Sequence, residues 1–122
     1  MCVVGLSEHS IQVERLPDEG ILDFKAKVFK ILNDPNRVMI LEILRQGERC
    51  QCEITPLLDQ SQPTVSRHLK LLDDAGLIKS RRDGNKTLYC VVNERIFNVL
   101  DAIDQELIQT LSDELKSRLL TI

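Results

Sequence analysis

Aromatic residues are almost missing from this 122-residue chain: one Tyr, three Phe and no Trp. Its core must be built from Leu, Ile and Val, a composition that favours helices packed on helices. Histidine is as scarce, with only His9 and His68. A zinc centre made of several imidazoles therefore lacks its ligands. No apolar run approaches the roughly 20 residues that a membrane helix needs. The opening "MCVVGLSEHSIQVERLPDEG" has no basic segment ahead of its short apolar stretch and does not read as an export signal. A cytoplasmic, reducing location is expected, and the four cysteines, Cys2, Cys50, Cys52 and Cys90, then read as free thiols or metal ligands rather than a disulfide framework. The chain shows no Gly-rich phosphate loop, no nucleophile–base spacing and no paired-carboxylate pocket. Neither an enzyme nor an organic cofactor is indicated.

What is present fits one small domain. Hydrophobic residues make up 43% and charged residues 29% of the chain, ordinary values for a soluble globular protein. The net charge of -3 is unevenly spread: residues 1–60 hold 7 basic and 10 acidic side chains, residues 61–95 hold 7 and 4, and residues 96–122 hold 2 and 5. A basic segment lies between two acidic flanks, and local patches rather than the total charge set affinity for phosphates.

Residues 1–17 read as an N-terminal arm with a short helix across Ser7 to Arg15, and residues 18–122 as the domain proper. From Asp18, residues Ile21, Leu22, Phe24, Val28, Ile31 and Leu32 recur at helical spacing. Asp34-Pro35 then restarts a helix, with a capping side chain followed by Pro at the first helical position. That helix carries Val38, Ile40, Leu41 and Leu44 and stops at Gly47. "CQCEITPLLDQ" reads as a shorter third helix whose regular part begins near Thr55, because Pro56 is tolerated only in a first turn. Ser61 caps the next helix, Pro63 sits in its first turn, and Gly76 ends it, with Val65, Leu69 and Leu72 facing inward. The period then changes: Ile78 opens a strand, Asp83-Gly84 signals a hairpin, and Thr87, Tyr89 and Val91 alternate on one face. From Glu94 a single long amphipathic helix is expected, with Ile96, Val99, Leu100, Ile103, Leu107, Leu111 and Leu115 along its apolar stripe. The predicted fold is mainly α (α+β): a winged helix-turn-helix with a short β-hairpin wing and a long C-terminal helix.

Two short helices joined by "DQSQ", the second entering on "QPTVSRHLK", form a helix-turn-helix pattern. Ser61, Gln62, Thr64, Ser66, Arg67, His68 and Lys70 lie near the start of the second helix, on its predicted outer face. Their donors suit base edges and phosphates. Arg81, Arg82 and Lys86 near the hairpin tip make a basic wing. The partner expected is double-stranded DNA; a protein-binding winged helix is the alternative, and a merely solvated polar face is the bland one.

The segment from Phe24 to Val92 resembles the ArsR/SmtB family of winged-helix repressors through "FKILNDPNRVMILEILRQGE", then Cys-Gln-Cys at Cys50 to Cys52, then "SQPTVSRHLKLLDDAGLIKSRRDGNKTLY". The resemblance implies a cytoplasmic homodimer, joined through the first and last helices, bound to a palindromic operator and released by an inducer ion. A twofold dimer would set its recognition helices ~34 Å apart, one turn of DNA. The unbroken apolar stripe of the last helix independently calls for a partner surface.

In that family a Cys-x-Cys pair at the start of the third helix marks sensors of arsenite, antimonite or soft ions such as cadmium and lead. Cys50 and Cys52 sit there, and thiolates are soft ligands that prefer soft ions. Arg49 favours thiol deprotonation, while Glu48 and Glu53 oppose it. The arsenite-sensing pattern has a third Cys where this chain has Thr55. The cadmium- and lead-sensing branch recruits N-terminal thiols instead, and Cys2 is the one thiol available for that. The expected ligand set is Cys50, Cys52 and Cys2, in cis or across a dimer, for As(III) or Sb(III) foremost and Cd(II) or Pb(II) otherwise. His9 could extend it to four. Residues two apart on an ideal helix point about 200° apart, so ligation should hold or force an irregular start to the third helix. A redox response of the same cysteines is the competing reading. Cys90, on the wing face opposite Tyr89 and Val91, is expected to be no ligand. The last helix offers Asp101, Asp104, Glu106, Asp113 and Glu114 but no His, which argues against the family's zinc site there.

Overall fold

A computed structural model describes residues 16–120. Cys2, His9 and the helix expected across Ser7 to Arg15 lie outside the described residues. Helix α1 spans Glu19–Leu32, and the carboxylate of Asp18 caps it by accepting the N–H of Ile21 at 2.9 Å. Helix α2 spans Pro35–Leu44, where Asp34 accepts the N–H of Asn36 at 2.8 Å and of Arg37 at 3.4 Å. The Asp34-Pro35 restart thus works as its chemistry requires.

Next comes an element too short for any periodicity to reveal. Strand β1, Arg49–Cys50, runs straight into α3, Gln51–Ile54. A 3-10 turn, Thr55–Leu57, follows with Pro56 near its start. The regular helical turn therefore precedes Thr55, contrary to expectation. Pro56 has no N–H to give the carbonyl of Cys52, so the α-ladder cannot pass through it and tightens instead. Helix α4, Gln62–Asp74, is capped by Ser61, and Gly76 ends it at φ +78°, a backbone conformation that costs glycine least.

Strands β2, Ile78–Asp83, and β3, Lys86–Val91, form the wing. Gly84 turns the chain at φ +63°, with no positive φ at Asn85, which is the pattern of a II′ hairpin turn. The sheet has the order β1-β3-β2, antiparallel throughout, so the cysteine-bearing strand is the third strand of the wing sheet. Cys50 pairs with Leu88, which pairs with Arg81 on its other side.

The expected single C-terminal helix is broken in two. Helix α5 covers Ile96–Ala102 and α6 covers Gln105–Leu120. Ile103 leaves the helical region (φ -90°, ψ 77°), and the carboxylate of Asp104 accepts the N–H of Leu107 at 2.9 Å, starting α6 afresh. The apolar period runs across this break and hid it.

The core gathers Ile40, Leu41, Ile43 and Leu44 of α2, Ile54 and Leu58, Val65, Leu69 and Leu72 of α4, Ile78 and Phe97. Arg45 locks α5 onto α2: its guanidinium lies 4.5 Å from the Phe97 ring centre and bonds Asp101 at 2.7 and 2.9 Å. By contrast, α1 and α6 bury no residue fully. Of the predicted apolar face of α1, Val28, Ile31 and Leu32 are half-buried, while Ile21, Leu22 and Phe24 are exposed. Leu107, Ile108, Leu111, Leu115 and Leu119 line an open stripe on α6. No helix of the described residues is long and apolar enough to cross a membrane.

Candidate nucleic-acid interface and thiol site

Helix α4 sorts its side chains by the helical period. Val65, His68, Leu69 and Leu72 turn into the protein, and Ser61, Gln62, Ser66, Arg67 and Lys70 are exposed. Thr64 is half-buried and its hydroxyl accepts from that of Ser61 at 2.9 Å. His68 is a correction to the sequence reading, which set it on the outer face. It is 9% exposed, and its Nδ1 lies 3.3 Å from a guanidinium nitrogen of Arg37. Guanidinium can only donate, so Nδ1 accepts and the ring proton sits on Nε2. Arg37 also donates to the Ile31 carbonyl and pairs with Asp34, tying α4 to the junction of α1 and α2.

The remaining outer-face residues form one stripe, since Gln62, Ser66, Arg67, Lys70 and Asp74 recur at three- and four-residue steps. The ammonium of Lys70 lies 3.3 Å from the carboxylate of Asp74. On the wing, Arg82 donates to the Thr87 hydroxyl at 3.0 Å, and Lys86 is exposed at the turn. Arg81 is engaged differently. Its Nε and Nη2 meet both carboxylate oxygens of Glu48 at 2.8 and 2.7 Å, a two-pronged pair across the sheet. The hydrogen bond from Arg81 holds the Glu48 carboxyl below its ordinary range, so it is ionised at neutral pH.

Glu48 is only two residues from Cys50. Cys50 is 2% exposed, at the end of β1, in extended conformation (φ -83°, ψ 161°), whereas Cys52 is exposed in the first turn of α3. This strand-to-helix corner removes the divergence expected of a regular helix. The Cα atoms are 5.2 Å apart and the two sulfurs are joined as a disulfide. The irregular start that ligation was expected to hold or force is thus part of the fold itself. The pairing also departs from the expectation of free thiols, because the corner, not the helix, decides where the sulfurs point. Glu53 braces the corner by accepting the N–H of Cys50 at 3.2 Å. Cys90 is a half-buried free thiol on β3, alternating with Tyr89 and Val91, which pack on the core. Among the described residues no group of three His, Cys, Asp or Glu side chains is placed to hold a metal ion. Cys50 and Cys52 can supply two sulfurs, and a third donor has to come from elsewhere.

Sequence reasoning missed three contacts that join these parts: β1 within the wing sheet, the Glu48–Arg81 pair, and Gln51. The side-chain amide of Gln51, the residue between the two cysteines, donates to the Ser66 hydroxyl at 2.6 Å and to the Gln62 carbonyl at 3.4 Å. All three are long-range, and no local pattern signals them.

The chain matches the family model described as "Bacterial regulatory protein, arsR family" over residues 34–80, from the cap of α2 to the first half of β2. It is 38% identical over 81 residues to an uncharacterized HTH-type transcriptional regulator of Methanocaldococcus jannaschii, covering 66% of this chain and 91% of that protein. It is 41% identical over 80 residues to an arsenical resistance operon repressor of Staphylococcus xylosus, covering 66% of this chain and 73% of that one. The solution structure of a homodimeric winged helix-turn-helix DNA-binding domain from Mycobacterium bovis, a possible ArsR-family regulator, superposes with a TM-score of 0.62 at 27% identity, covering 92% of this chain and 95% of that one. The capped α2, the α3–α4 pair, the wing and these relatives agree: the chain belongs to the ArsR/SmtB family of winged helix-turn-helix transcriptional regulators, which bind DNA and are not enzymes.

Proposed function

We propose that this chain is a homodimeric repressor that leaves its operator when a thiophilic ion, As(III) or Sb(III) foremost, binds Cys50 and Cys52. The observation that carries the reading is the convergence of the two sulfurs at the β1–α3 corner, one residue from a side chain bonded to α4. Reduced, that corner presents two thiolates to one soft ion. The Staphylococcus xylosus relative, an arsenical resistance operon repressor, supports the choice of ion. Cys2 is the proposed third sulfur, which completes the three-coordinate set that As(III) takes; Cd(II) or Pb(II) is the alternative inducer at the same thiols. Gln62, Ser66, Arg67 and Lys70 enter the major groove, with Ser61 and Thr64 at the helix start and Arg82 and Lys86 beside the backbone, while Arg81 on the same wing is held by Glu48. The open apolar faces of α1 and α6 support dimerisation through them.

A redox reading is favoured by one specific observation, the Cys50–Cys52 disulfide. Two thiols would give two electrons and two protons to one molecule of peroxide, forming the disulfide and two molecules of water. Fluorescence anisotropy of labelled operator at fixed salt separates the readings. As(III), Sb(III), Cd(II), Pb(II) and Zn(II) are titrated into reduced protein, with Cys2→Ser and Cys50→Ser alongside. Release by As(III) or Sb(III), lost in both variants, supports the three-thiol site. Release by peroxide alone, reversed by a dithiol, transfers the function to redox sensing. Release by no reagent sinks both.

A further inference from the structure

We propose that Gln51 is a positioning residue that carries the state of the Cys50/Cys52 pair into the DNA-reading face of α4. The inference rests on the thiol-sensing reading above. Its first support is connectivity. Gln51 is the only residue between the two cysteines, so whatever part of a change in how their sulfurs are joined is not absorbed by rotation of the two side chains falls on the backbone at Gln51 and its neighbours. The second is the side chain: its amide lies 2.6 Å from Oγ of Ser66 and 3.4 Å from the carbonyl oxygen of Gln62. Both belong to the exposed stripe of α4, fifteen and eleven residues away. The third is the corner itself. The carbonyl of Gln51 accepts both the N–H and the hydroxyl of Thr55, so its main chain is held while its side chain reaches across the turn.

The chemistry at Ser66 gives the contact a consequence. A serine hydroxyl is one donor and two acceptor sites. While Gln51 donates to it, one acceptor site is filled and the hydroxyl hydrogen must point away from the Gln51 amide. The Ser66 rotor is thereby restricted on the face that the proposed function gives to DNA. If Gln51 swings away, Ser66 rotates freely and the N-terminal turn of α4 loses its tie to α3. The sensor would therefore act on Ser66 and Gln62 directly, without the whole domain moving.

The test is a double-mutant cycle on the release factor, the ratio of operator Kd with and without saturating As(III), for reduced full-length protein carrying Gln51→Leu, Ser66→Ala or both. The ratio cancels each variant's basal operator affinity. Arsenic–thiolate absorbance without DNA measures ion binding separately, and thermal melting reports folding. Each single variant is expected to cut the release factor about 2- to 12-fold, the worth of one hydrogen bond, with ion affinity unchanged and the double variant no worse than either single. Ser66→Ala, at an exposed position on the far side of the contact, keeps the test decisive if Gln51→Leu melts early. Full release factors in both single variants overturn the inference while leaving the thiol sensor standing. Additive losses also overturn it, because they mean that the two residues act separately. A wild-type protein that binds As(III) but keeps its operator removes the proposed function and this inference together.

Discussion

Replacing Glu48 by Gln should strengthen operator binding and steepen its dependence on salt. In the wild-type protein the Arg81 guanidinium spends its Nε–Nη2 edge on both oxygens of Glu48, at 2.7 and 2.8 Å. That is the edge a phosphate would use. Glu48→Gln keeps the shape but removes the charge and leaves at most one hydrogen bond, so Arg81 becomes available to the DNA backbone. One added phosphate contact makes the slope of log K against log salt more negative by about 0.9. Between 50 and 200 mM salt, affinity should then fall about 3.5-fold further than in wild type, the factor that one extra contact contributes over a fourfold salt change. An exposed ion pair holds its partners weakly, so the slope is a sharper readout than affinity at one salt concentration. The assay is operator anisotropy at four salt concentrations for both proteins. An unchanged slope, or weaker binding by Glu48→Gln, refutes the reasoning and means that Glu48 aims Arg81 rather than withholding it. The sign with pH follows from the lowered carboxyl: the pair is intact above the ordinary Glu range and is lost only as pH falls through the lower folded value. Wild-type and variant slopes should therefore differ by the same amount at pH 6 and pH 8.

Leu72→Ala, at a site with 0% exposure, should cost about 2–5 kcal/mol in a urea titration, the range for an aliphatic side chain lost from a packed core; a loss below 1 kcal/mol would mean that α4 is loosely packed. Asp34→Ala removes the cap of α2 and should cost about 0.5–2 kcal/mol at pH 7. Partial burial pushes the Asp34 carboxyl up, but the N–H groups of Asn36 and Arg37 and the charge of Arg37 outweigh it and leave it below its ordinary value. The cap's contribution is present above the unfolded-state value and fades as pH falls through the lower folded one, so wild type and variant should converge in acid; a gap that persists at pH 2 contradicts the assignment. Arg67→Ala, on the exposed stripe of α4, should weaken operator binding about 5- to 150-fold at fixed salt, the range for an arginine that reads a base. An unchanged affinity would favour a winged helix that binds protein instead.

Local chemistry made much of this molecule legible. Asp34-Pro35, Ser61 with Pro63, Gly76 and Gly84 each act within a few residues of themselves, and each ends or starts an element where its chemistry demands. The Cys-Gln-Cys spacing and the polar run on α4 mark the two proposed functional regions for the same reason. Errors arose where a local rule met a competing one. At Pro56 the tolerance of proline in a first helical turn implied a regular helix beginning near Thr55, but its missing N–H instead ended the α-helical turn that precedes it. At Ile103 the apolar stripe continued while the backbone left the helix and Asp104 began a new one. His68 fell among hydrophilic neighbours in sequence, but its place on the helical wheel turned it inward onto Arg37.

The sequence by itself determined α1, α2, α4 and the β2–β3 hairpin, the basic middle segment and the presence of a soft-donor pair, because caps, turns and periodicity depend on neighbours a few bonds away. Only the tertiary structure decided how those parts are wired. Cys50 enters the wing sheet opposite Leu88, Glu48 reaches Arg81 thirty-three residues on, and Gln51 reaches Ser66 across the turn. Such contacts depend on where the packed core of α2 and α4 sets the ends of the chain segments, and nothing in the residues nearby encodes that position.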